Sequence, residues 1–194
     1  MEPRISLQGI EKRFGARLLY KEVSLDVFPG IMLLTGANGS GKSTLLKIMA
    51  GLLRPDAGSV ICPTPEEERA FLGHGTFIYG ELTALENLRF WSGMAGARKT
   101  DKELMAALDE VGLAKRADDK AGIFSRGMAQ RLNLARLLCA SPRLIFLDEP
   151  ETGLDPASRD MLYRCVTRFR DGGAGIVWVS HSAAPELADS VYRI

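Results

Sequence analysis

Gly36-Ala-Asn-Gly-Ser-Gly-Lys-Ser-Thr44 satisfies G-x-x-x-x-G-K-[ST] at every fixed position. That is the pattern of a phosphate-binding loop. Gly36, Gly39 and Gly41 permit backbone angles that a side chain would block. Successive N–H groups can then turn inward as a nest for phosphate oxygens. Gly36, Asn38, Gly39, Ser40, Gly41, Lys42, Ser43 and Thr44 are the candidate nucleotide contacts. Lys42 is expected to reach the β- and γ-phosphates, and the Ser43 hydroxyl to hold Mg²⁺. Residues 31–35 are short and apolar, like a buried parallel strand. Residues 44–50 read as a helix whose N-terminal dipole faces the same phosphates. Strand, loop and helix come in the order the motif needs.

Outward from the loop, residues 4–8 and 23–27 alternate apolar and polar positions, as half-buried strands do. Pro29-Gly30 marks a turn, and Arg54 to Gly58 stops the helix before a short strand at 59–62. Residues 63–68 are a polar connector. From 82 to 138 the pattern is mostly helical: Thr83-Ala-Leu-Glu86 resembles a capping box opening a helix, Asp101 to Val111 puts Leu104, Leu108 and Val111 on one face, and Gly127 to Ala140 reads as a third helix. Leu144–Leu147 and Ile176–Val179 read as buried strands, separated by a helix over 156–169. Alternating strands and helices at both ends predict an α/β core with a mainly parallel sheet and a helical insertion.

Two carboxylates, Asp148 and Glu149, end the strand at 144–147. The first suits Mg²⁺, the second polarisation of a water for attack on a γ-phosphate. Ser180-His181 ends the next strand, where ligands of open α/β sheets bind, and His181 suits a γ-phosphate contact. Ser125 and Gly127 stand at the start of the third helix, where N–H groups are free for anions. This second phosphate site is remote in sequence from the first, so each is expected to serve a different nucleotide in a dimer.

The bulk properties exclude other classes. The 194 residues fit one domain with two lobes. Basic and acidic residues number 25 and 24, which argues against a nucleic-acid partner. No apolar run approaches membrane-spanning length, and residues 1–5 lack a signal-peptide pattern. Cys62, Cys139 and Cys165 form no C-x-x-C pair and fit reduced core thiols.

Five motifs in this order and spacing resemble an ATP-binding-cassette (ABC) ATPase over essentially the whole chain: the loop at 36–44, a signature at 124–131, Asp148-Glu149, the turn with Leu154-Asp155, and His181. The resemblance implies the ABC ATPase fold: a P-loop core with a mainly parallel sheet, an N-terminal antiparallel β portion and a helical insertion. It implies a core lobe of about 1–75 and 142–194 and a helical lobe of about 76–141. It implies a head-to-tail homodimer with two ATP and Mg²⁺ between protomers, on integral membrane permease subunits at the cytoplasmic face of the inner membrane. Glu149, His181 and Lys42 would be catalytic, Ser43 and Asp148 the Mg²⁺ partners, Asp155 a communicator across the dimer, and Phe14 a ring stacked on adenine; a core position is the other reading of Phe14.

Two stretches depart from the family. In Phe124-Ser-Arg-Gly-Met128, Arg126 replaces a glycine and Met128 a glutamine. Arg126 is expected to face solvent, attraction to phosphate being the other reading. The family's glutamine before the helical lobe, which contacts Mg²⁺ or the attacking water, falls at His74, followed by Gly75; histidine can hydrogen-bond, but its charge depends on pH. The stretch from Leu72 to Phe90 is similar to the ATPase subunits of haem exporters of cytochrome c maturation. The alternatives are an exporter of a drug, lipid or peptide, or a non-transport ABC protein. Val191-Tyr-Arg-Ile194 stops where such domains usually continue.

Overall fold

The computed structural model describes all residues except 1, 74, 76, 95, 97 and 181–184. They cluster into two compact units: Met1–Gly73, Arg143–Pro150 and Phe169–Ile194 form the first, His74–Pro142 and Glu151–Arg168 the second.

The first unit carries two sheets. β1 (Ile5–Phe14) and β2 (Arg17–Val27) form an antiparallel hairpin, and β4 (Ala57–Ile61) pairs antiparallel on the other side of β1. Both long strands extend well beyond the alternating stretches at 4–8 and 23–27. Register shifts along β1 interrupt the alternation, which hid the continuation from a period-two reading. Gly15, at φ 57°, makes the tight turn between them.

The second sheet is wholly parallel. β3 (Gly30–Thr35) lies between β7 (Gly175–Val179) and β8 (Ser190–Arg193), and β6 (Leu144–Asp148) lies between β7 and β5 (Arg69–Leu72). Strands β6 and β7 are buried along their whole length, as strands covered on both faces must be. The helix α1 (Lys42–Met49) buries Leu45, Leu46, Ile48 and Met49 in the core that Ile5, Leu7, Phe146 and Val177 share. Register aligns the strand ends: Val179 lies beside Leu34 on one side and Asp148 on the other. The phosphate loop and the Asp148-Glu149 pair therefore leave the sheet at the same edge.

The second unit is helical: α2 (Ala84–Met94), α3 (Asp101–Glu110), α4 (Arg126–Ala140) and most of α5 (Pro156–Asp171). Capping boxes open α2 and α3. Thr83 N–H donates to Glu86 and Glu86 N–H to the Thr83 hydroxyl, and Thr100 and Glu103 repeat the exchange. Leu104, Leu108, Leu132 and Ala135 form its buried seam. Among the described residues no helix is long and apolar enough to cross a membrane.

Candidate functional site

The loop from Gly36 to Gly41 joins β3 to α1, with Gly36, Gly39 and Gly41 at φ 152°, 77° and 100°. Gly41 is itself the N-cap of α1. A side chain there would strike Leu19 and Tyr20, so the loop is seated directly on β2. Asn38 and Gly39 are exposed at the loop's crest, where Arg17 reaches the Gly39 carbonyl at 3.4 Å. The Ser40 hydroxyl is enclosed without a hydrogen-bond partner, in the space Gly36 leaves for want of a Cβ. Tyr20 and Arg17 were missed by motif reading, because nothing local ties a β-strand residue to a loop glycine 21 or 22 positions downstream.

Lys42 is buried and donates to the Gly36 and Ala37 carbonyls at 2.9 and 3.1 Å. These bonds hold the ammonium across the mouth of the loop, and a phosphate would take their place. One residue on, the Ser43 hydroxyl donates to Asp148 Oδ1 at 2.8 Å. Two hard oxygen ligands from distant parts of the chain therefore meet at the first turn of α1. Among the described residues no cluster of three metal-ligating side chains exists. An alcohol and one carboxylate fit Mg²⁺, which keeps waters and takes its remaining oxygens from phosphates.

Glu149 follows Asp148 with φ 50°, a left-handed angle that costs a non-glycine residue of the order of 1–3 kcal/mol. Its N–H still donates to the Val179 carbonyl at 2.9 Å, so the turn away from the sheet starts at that residue. A carboxylate held in such a conformation beside a phosphate loop is a candidate base. His181 and His74 lie outside the described residues.

Phe14 ends β1 and is 54% exposed, which removes the core reading for it. The Lys12 ammonium stands 5.7 Å from its ring centre and is paired with Asp56 at 3.1 Å. In the second unit, Ser125 caps α4 by accepting from the Met128 N–H at 3.3 Å, and Gly127 lies in the helix's first turn. Asp155 caps α5: its Oδ1 accepts from the Ser158 N–H at 2.8 Å, the main cause holding its carboxyl below the usual range. Arg126 is exposed, as expected, but its guanidinium stands over Gly153.

The family described as ABC transporter matches residues 20–152. The cytochrome c biogenesis ATP-binding export protein CcmA of Bordetella bronchiseptica is 39% identical over 187 residues, covering 91% of this chain and 82% of that protein. An uncharacterized ABC transporter ATP-binding protein of Bacillus subtilis, YdbJ, is 38% identical over 166 residues, covering 80% of this chain. The match takes in 54% of YdbJ, so the chain spans about half the length of that relative. A solved ATP-binding subunit of an ABC transporter superposes with a TM-score of 0.88 at 26% identity, over 98% of this chain and 85% of its own.

Proposed function

The chain belongs to the ABC transporter family as an ATP-binding subunit, and on that premise we propose that it hydrolyses ATP to power a separate membrane permease. The observation that carries this reading is the 2.8 Å bond between Ser43 and Asp148, with Glu149 next in the chain. It brings together, at one sheet edge, the phosphate loop and the residues that would hold Mg²⁺ and serve as base in this reading. Ser43 and Asp148 would hold Mg²⁺, which when bound neutralises charge on the β- and γ-phosphates. The loop's N–H groups and the dipole of α1 bind the phosphate chain, and Lys42 moves from its two carbonyls to the β- and γ-oxygens. Glu149 takes a proton from the attacking water. In the same reading His181 would contact the γ-phosphate, His74 would take the role of the family's glutamine toward Mg²⁺, and Phe14, exposed at the end of β1, would stack on adenine. Catalysis is then mainly positioning and charge stabilisation of the transferred phosphoryl group.

Residues 1–194 act as one ATPase domain in this reading, and two copies close head to tail. Ser125 and Gly127 of each bind the nucleotide held by the loop of the other. The exposed Phe77, Tyr79 and Phe90 give the second unit an aromatic surface suited to a permease partner. Haem export for cytochrome c biogenesis is the cargo we assign, supported by the likeness to CcmA and by residues 72–90.

Glu149→Gln should lower turnover by about 10²–10⁴-fold while keeping ATP affinity. It should also trap an ATP-dependent dimer visible in sedimentation velocity. Wild-type turnover in this variant would remove Glu149 as the base. Deleting the gene in its host should abolish haem staining of c-type cytochromes in membranes; unchanged staining would overturn the cargo assignment.

A further inference from the structure

Two arginines of α4 make contacts that neither nucleotide binding nor helix capping requires. Arg131 donates from Nε to the Ser158 hydroxyl at 2.9 Å, and its Nη2 stands 3.7 Å from Asp155 Oδ2. Ser158 closes the triangle, its hydroxyl donating to the same Oδ2 at 3.1 Å. Ser158 is buried, so its hydroxyl is committed to these two partners. One turn earlier in α4, a Cβ added to Gly127 would stand 3.5 Å from that same carboxylate oxygen. The start of the signature helix thus lies directly against Asp155.

Arg126 closes the other end. A Cβ added to Gly153 would come within 2.9 Å of the Arg126 guanidinium, which lies across that glycine's open face. Gly153 also has φ 76°, an angle that suits glycine. The family's usual glycine at 126 could make no such contact. All these residues belong to the second unit, so the arrangement is internal to one body.

One carboxylate therefore does three things. It caps α5, pairs in charge with Arg131 and lies close to the first turn of α4. A guanidinium that donates to the Ser158 hydroxyl from Nε while its Nη2 pairs in charge with Asp155 is held in both distance and direction, which a lysine ammonium with no planar fork would not reproduce. We propose that Arg126 and Arg131 are positioning residues that clamp the Ser125–Gly127 turn to the Gly153–Asp155 turn, so that both are offered to a second copy of the chain as one rigid surface. This rests on the two-copy site proposed above.

The test uses the full chain carrying Glu149→Gln, with ATP, in sedimentation velocity, and amide hydrogen exchange on the protein without nucleotide. Arg131→Ala should weaken ATP-driven dimerisation by about tenfold, within the usual range of coupling between sites. Binding of a fluorescent ATP analogue to the monomer should not change. Amides at 151–158 should exchange faster. Ser158→Ala should act likewise, and the double variant should be no worse than the worse single, because one network is broken only once. Arg131→Lys should fail to restore dimerisation. Arg126→Gly, at an exposed position, keeps the test alive if Arg131→Ala folds poorly; it should speed exchange at 151–155 and weaken dimers. Additive losses, or wild-type dimerisation with unchanged exchange, would overturn the clamp. If the parent protein does not dimerise with ATP, the two-copy reading falls, and with it the clamp's role in presenting a joint surface.

Discussion

Tyr20→Phe should stabilise the protein and leave ATP affinity unchanged. Tyr20 lies opposite Lys12 in the β1–β2 hairpin and is only 7% exposed, with its hydroxyl enclosed and without a hydrogen-bond partner. The ring is the floor of the phosphate loop, since a Cβ at Gly41 would come 2.9 Å from its Cε1. Phenylalanine keeps that floor and removes only the oxygen. An unsatisfied buried hydroxyl costs about 1–3 kcal/mol. Taking the lower end, because a hydroxyl can rotate toward weak partners, the gain is about 1 kcal/mol, or roughly 2–4 °C in Tm for a chain of this size. Burial, with a smaller contribution from the Asp56 charge, pushes the Tyr20 hydroxyl well above its ordinary pKa of 10.0. The folded state thus resists ionisation that the unfolded chain accepts. Tyr20's share of stability is complete below pH 10 and is lost as pH rises beyond it, so the advantage of the phenylalanine variant should widen in alkali. Thermal unfolding at pH 7 and above pH 10, with titration of a fluorescent ATP analogue, measures all of this. A fall in Tm would mean the hydroxyl is bonded after all. A loss of nucleotide affinity would mean that the oxygen, and not the ring, seats the loop.

Two further substitutions follow the same reasoning. Asn133 in α4 is 1% exposed, and neither end of its amide has a partner. Asn133→Ala should raise stability by about 1–2 kcal/mol through lost desolvation cost and better helix propensity. Calorimetry checks it, and a lowered Tm would show the amide to be engaged. Asp56 is held below the ordinary carboxyl pKa of 3.8, first by the Arg13 N–H and then by Lys12. A depressed carboxylate contributes stability above pH 3.8 that disappears as pH falls through the folded value. Asp56→Asn should therefore flatten the acid limb of a Tm-against-pH curve, while an unchanged limb would reject the assignment.

The difference between what was and was not legible follows the range of the forces. The phosphate loop is readable because its chemistry is contiguous: the glycine angles, the lysine and the serine all serve one ligand. The Thr83 capping box and the β6 and β7 runs are equally local. β5 and β8 escaped notice because each has only four residues and exists through pairing with a neighbour distant in sequence. Tyr20 lies outside the alternating stretch at 23–27, and its partner is a loop glycine that no local pattern links to it. Arg126 left two readings open, solvent or phosphate, and its contact with Gly153 adds one that neither contained.

By itself the sequence determined that a nucleotide's phosphates have a cradle and that two carboxylates end a buried strand. Only the tertiary structure decided that Ser43 meets Asp148 across 105 positions of chain. It did so through strand order, since β3 and β6 flank β7 in register, and a parallel sheet brings their carboxyl ends to one edge.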